Sequence, residues 1–137
     1  MKTLKLACIS TLLAAGIAHA SIPCNGLEIK IKNNTTEDLI ATGIKLVGAE
    51  LNPGSSPQIN AKTEQVFSVN NSNKDVEMTG ELIFHTASLP SKEVKIQFNL
   101  RNKTLSCHHE DITPLNANFS IDKNRYAGKV DYTISHK

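Results

Sequence analysis

Leu27-Glu28-Ile29-Lys30-Ile31-Lys32 and Val94-Lys95-Ile96-Gln97-Phe98-Asn99-Leu100 are the two stretches whose reading decides the fold. In both, apolar and polar side chains alternate without a break. Successive side chains of an extended chain point to opposite faces, so each stretch predicts a strand with one face in a core and the other in water. Val130, Tyr132 and Ile134 repeat the pattern near the end of the chain. Val76, Met78, Leu82 and Phe84 share one face of a further run, and Gly80 on that face marks a bulge or a close approach. Shorter strand candidates cover 66–69, 105–109 and 119–121.

Working outward, the segments between these runs are rich in turn formers. Asn33-Asn34-Thr35-Thr36 ends the first strand, and Asn52-Pro53-Gly54-Ser55-Ser56-Pro57 is the strongest breaker. Residues 70–74, 101–104 and 123–125 do the same work. Residues 39–51 carry two patterns at once. Ile40, Ile44, Val47 and Leu51 follow helical spacing, whereas Ile40, Thr42, Ile44 and Leu46 fit one face of a strand. Gly43 and Gly48 would each cost about 1 kcal/mol in a helix interior, which favours the strand. Short strands at nearly even spacing, without intervening helices, predict an all-β fold: an antiparallel two-sheet β-sandwich of about 7–8 short strands.

Residues 1–20 read differently from the rest. Lys2 and Lys5 precede an apolar run from Leu6 to Ala18, and Ala18-His19-Ala20 has the small-x-small form a signal peptidase reads. That run is too short to span a bilayer, which takes about 20 residues. The expected organisation is a cleavable leader at 1–20, of the short, lysine-led bacterial type, and one sandwich domain over 21–137. The mature protein is then secreted or periplasmic. Cys8 leaves with the leader, and the remaining even pair, Cys24 and Cys107, is expected to form one disulfide.

Processing also changes the charge. Two of the fifteen basic residues, Lys2 and Lys5, belong to the leader, and the thirteen that remain balance the thirteen acidic ones. A neutral domain has no general attraction for nucleic acid, so no nucleic-acid partner is expected. No Gly-x-Ser-x-Gly elbow or phosphate-cradling loop is present, and the two mature cysteines are assigned to each other, so no enzyme activity and no cofactor are expected. The densest polar cluster is Cys107-His108-His109-Glu110-Asp111. Imidazole and carboxylate are ligands of zinc and copper, which makes His108, His109, Glu110 and Asp111 the metal candidates. On a strand the same-face pairs are His108 with Glu110 and His109 with Asp111, and either needs a further ligand from elsewhere. The simpler expectation is a solvated strand end on which truncating either histidine changes little. Asn-x-Ser/Thr sequons begin at Asn33, Asn34, Asn70, Asn102 and Asn118, and in a bacterial protein they signify exposed polar turns.

Four segments together resemble a known family. Ile29-Lys30-Ile31-Lys32-Asn33-Asn34-Thr35, Leu46-Val47-Gly48 before a Pro/Gly loop, and Ile59-Asn60-Ala61-Lys62-Thr63 leading through Phe67 to Met78-Thr79-Gly80-Glu81-Leu82-Ile83-Phe84 resemble the aegerolysin-like, more broadly actinoporin-like, β-sandwich proteins over Leu27 to Leu100. The resemblance implies two packed antiparallel sheets and recognition of lipid or a membrane surface. Those families usually present several tryptophans to lipid, and this chain has none. The expected function is a secreted, non-enzymatic binding protein for a surface ligand: lipid or membrane surface, glycan, or protein. The alternatives are a small periplasmic metal-binding protein using Cys107–Asp111, and a module whose open strand edge pairs with a protein partner.

Overall fold

The computed structural model describes residues 22–55 and 58–137, so the expected leader and its expected cleavage site lie outside the described residues. Ten strands follow in order: β1 (Glu28–Asn33), β2 (Leu39–Val47), β3 (Glu50–Asn52), β4 (Gln58–Ile59), β5 (Glu64–Asn70), β6 (Met78–Thr86), β7 (Glu93–Asn102), β8 (Cys107–Asp111), β9 (Phe119–Tyr126) and β10 (Lys129–His136). They form two five-stranded sheets, ordered β3-β5-β1-β10-β9 and β4-β2-β6-β7-β8. The all-β sandwich expected from the alternation is therefore present, with more strands than the seven or eight anticipated. The extra ones come from the region 50–59, where two very short strands lie on different sheets.

Alternation does the packing. Ile29 and Ile31 of β1, Phe67 and Val69 of β5, and Val130, Tyr132 and Ile134 of β10 meet Met78, Leu82 and Phe84 of β6 and Val94, Ile96, Phe98 and Leu100 of β7 in one buried core. Gly80 lies directly opposite Phe98 in the β6–β7 register. A Cβ there would run into the distal ring atoms of Phe98, so Gly80 is a close-approach glycine and the ladder passes it without a bulge.

Residues 123–125, expected as a turn, lie within β9, and the chain turns into β10 at 127–128 instead. Two further features depart from the expectation. One pair is parallel: β1 lies between β5, antiparallel to it, and β10, parallel to it. The other departure is a register break in β2 between Ala41 and Gly43. The extra residue, Thr42, shifts the alternation, so Leu39 and Ala41 and then Ile44 and Leu46 face the core while Ile40, Lys45 and Val47 face solvent. Residues 39–47 are strand, and the helical spacing of Ile40, Ile44, Val47 and Leu51 marks no common face, since Ile40 and Val47 are exposed while Ile44 packs on the core. The strand ends at Gly48, whose φ of +92° suits glycine alone among common residues.

Cys24 and Cys107 are bonded across 83 residues, tying the segment before β1 to the start of β8 on the opposite sheet. Asparagines reinforce this end. Asn102 accepts from the Cys24 amide at 2.7 Å and donates to Asn71 at 2.8 Å, while Asn25 accepts from the Asn71 amide at 3.0 Å. At the other end Asn33, fully buried, donates to the carbonyls of Glu37 and Ile59. The sequon asparagines thus divide. Asn34, Asn70 and Asn118 are exposed, as expected, whereas buried Asn33 and half-buried Asn102 hold loops together.

Candidate functional site

The β8 segment Cys107–Asp111 is where the sequence concentrates polar chemistry, and the structure splits it along the strand. Pairing with β7 sets Leu100 opposite His109 and Arg101 opposite His108. Leu100 is a core residue, so its partner His109 faces inward too, and His108 and Glu110 face out. The two same-face pairs read from the sequence are those found. The expectation that both histidines are solvated fails for His109, which is only 6% exposed. The four metal candidates consequently do not converge on one point. Among the described residues no group of three or more His, Cys, Asp and Glu side chains is arranged to hold a metal ion.

On the inside, His109 replaces an apolar residue in the inter-sheet core. Its ring stacks on Phe98 at 5.7 Å and its Nε2 lies 2.9 Å from the Tyr132 hydroxyl on β10. Tyr132 in turn donates to Asp111 Oδ1 at 3.2 Å, and Thr113 donates both its amide and its hydroxyl to the same oxygen. This order assigns the His109 proton to Nε2: Nε2–H donates to Tyr132, Tyr132 O–H donates to Asp111, and the chain ends on a carboxylate. Nδ1 is left as a buried lone pair with no partner. Burial, with Arg125 and Lys123 nearby, lowers the His109 pKa from 6.5 to about 4, so the ring is neutral at pH 7. Burial and the Asp111 carboxylate push the Tyr132 hydroxyl well above its ordinary range.

Arg125 of β9 closes this side of the sandwich. Its guanidinium donates to the carbonyls of Cys107 at 2.9 Å and His109 at 3.2 Å. β8 and β9 are the edge strands of their sheets. Lys123 and Arg125 stand opposite Tyr132 and Val130, on the face of β9 that looks toward the core. Inward-directed charges of this kind guard an edge against pairing with another chain. One edge thus reaches over and bonds two carbonyls of the other.

On the outside, His108 and Glu110 join Glu77, Thr79, Asn99 and Arg101 in an open groove of about 310 Å³ across β6, β7 and β8. Cross-strand register brings them together: Thr79 stands opposite Asn99, Asn99 opposite Glu110, and Arg101 opposite His108. Thr79 donates to Asn99 at 3.2 Å and Asn99 donates to Glu110 at 3.3 Å. Arg101 pairs with Glu77 at 3.6 Å. These contacts hold one side chain beside the next, while Glu110, His108 and Arg101 keep further donor and acceptor capacity facing solvent. His108 and Glu110 were found by their sequence cluster. Thr79, Asn99 and Arg101 were missed, because only strand register reveals that residues some 20 positions apart form one row.

Neither a protein-family model nor a curated protein matches the chain, so only its own residues speak to what it does.

Proposed function

We propose that the protein is an exported, non-enzymatic binding module that takes a polyhydroxylated surface ligand, of glycan type, in the groove on the β6–β7–β8 face. One observation carries the reading: a row of hydrogen-bonding side chains, Thr79, Asn99 and Glu110, beside the Arg101–Glu77 pair, lies in an open groove on a rigid sheet. Vicinal hydroxyls each need a donor and an acceptor, and alternating amide, carboxylate and guanidinium groups offer both. Side chains already held by one another lose little freedom on binding. The disulfide belongs to an oxidising compartment and supports the exported location. The two groups with strongly displaced acid–base behaviour, His109 and Tyr132, lie in the core away from this groove, which supports binding rather than acid–base catalysis there.

Glycan-array binding by the mature protein tests the proposal. Arg101→Ala and Glu110→Gln should each weaken a glycan hit at least about tenfold, the effect of losing one charge-assisted hydrogen bond, with the melting temperature unchanged. Absence of any glycan hit, or unchanged binding by both variants, would refute it. Lipid recognition has its own observation: Leu89 and Leu115, on the β6–β7 and β8–β9 loops, are 92% and 101% exposed. Liposome flotation with Leu89→Ser and Leu115→Ser decides that second reading, because neither residue lines the groove.

A further inference from the structure

We propose that the seam between β8 and β9 is an acid-opened clasp, with His109 as its trigger and the Cys24–Cys107 bond as its fixed end. The geometry carries this. His109 is buried, its Nε2 is engaged by Tyr132, and Nδ1 makes no hydrogen bond. A second ring proton would therefore be a buried donor without a partner on a newly charged group.

The surrounding charges do not compensate. From β9 come Lys123 and Arg125, both cationic, and Arg125 is already anchored on the carbonyl of His109 itself. β10 contributes the Tyr132 hydroxyl, and β7 contributes the uncharged Phe98 ring. The one nearby carboxylate, Asp111 on β8, already accepts from Thr113 and Tyr132. Two cations and one engaged carboxylate leave an imidazolium here with net repulsion.

Where the strain goes follows from the topology. β8 has a strand neighbour on one side only, β7. Its first residue is held by the disulfide and by the Arg125 bond to the Cys107 carbonyl, whereas its last residue runs into the segment 112–118. Beyond Asp111 the ties to the rest of the fold are few: the Ile112 amide and the Thr113 side chain on Gln97, Asn116 on the Glu93 carbonyl, and the Lys137 amide on the Asn118 carbonyl at the far end of the segment. Protonation therefore swings the Asp111 end outward about the disulfide, and uncovers Phe98, Tyr132 and Phe119 while the remaining ladders persist.

Hydrogen exchange of the mature, disulfide-bonded protein at pH 7.0 and 4.5, with an NMR titration of His109, tests the clasp. With pKa values of about 4 closed and 6.5 open, the opening constant rises by about 60-fold between these pH values, after correction for intrinsic exchange. The rise is expected in 107–118, with protection retained in β1, β5 and β6. His109→Phe keeps the stack on Phe98 but cannot be protonated, and should abolish the rise. Should that variant fail to fold, Lys123→Glu decides: a carboxylate facing the ring stabilises the imidazolium in place and moves the opening to lower pH. Uniform loss of protection over all strands, no change in 107–118, or an unaltered rise in the variant that folds would each overturn the proposal.

Discussion

Replacing Gly80 by alanine is the sharpest test of how the two halves of the core meet. The added Cβ would fall among Cζ, Cε1 and Cε2 of Phe98, the far end of a fully buried ring. That ring has little room to withdraw, because its other face is stacked on His109, which is itself tied to Tyr132. Overpacking of a filled core costs about 1–3 kcal/mol, and the pinned ring places Gly80→Ala near the upper figure. Phe98→Leu lacks all three clashing atoms and loses about 1–2 kcal/mol from the smaller side chain. If the two effects were independent, the double variant would lose about 4–5 kcal/mol. If the Phe98 ring is the obstacle, alanine at 80 fits once leucine stands at 98, and the double variant loses only about 2 kcal/mol, a coupling of 2–3 kcal/mol of the kind contacting residues show. Urea unfolding with the disulfide intact measures all four corners, and the midpoint shifts are large for a domain of ordinary stability. Additivity within about 0.5 kcal/mol would refute the argument that Gly80 exists to admit Phe98.

Breaking the Cys24–Cys107 bond by Cys24→Ser with Cys107→Ser should lower stability by about 4–5 kcal/mol, the chain-entropy value for an 83-residue closure, measured by the shift in the urea midpoint. Folding stability should also fall with acid. The His109 pKa is about 4 folded against 6.5 unfolded, so the unfolded state takes up the proton first; stability is full above pH 6.5, declines as pH drops, and is reduced by about 3 kcal/mol below pH 4. His109→Phe should flatten that part of the profile. Asn33→Ala removes a buried amide that serves two carbonyls and supports the Thr35 turn, and should cost about 2–3 kcal/mol by thermal unfolding. Mass spectrometry of exported protein should find Ser21 at the N-terminus, and recovery of an intact Met1 would sink the leader reading.

The strands that alternate cleanly were legible because burial of one face is a local property. Ile29 and Ile31, Val94 to Leu100, and Val130 to Ile134 each declare their inner face within a few residues. β2 was harder, since one extra residue at Thr42 reverses which side chains face in, and a bulge leaves no mark beyond an odd spacing. The burial of His109 could not be read. Its neighbours on β8 are polar, and the hydroxyl that makes the inner position tolerable arrives from Tyr132, 23 residues later and on the other sheet. The groove was half legible for the same reason: His108 and Glu110 are adjacent on one strand, but Thr79, Asn99 and Arg101 join them only through pairing register.

The parallel seating of β1 against β10 also bears on how the chain matures. β1 precedes every other strand described, yet it sits in the middle of its sheet and one of its two partners is β10, which follows all the others. Its ladder with β10 joins Glu28 to Lys129, a closure spanning nearly the whole domain. Such distant pairings form late and slowly. A nascent chain therefore cannot complete this sheet until β10 has emerged, and the covalent tie at Cys24 likewise waits for Cys107. On the proposed export route that ordering is protective: a chain that lacks β10 cannot close this sheet, and so stays open to passage through a translocation channel.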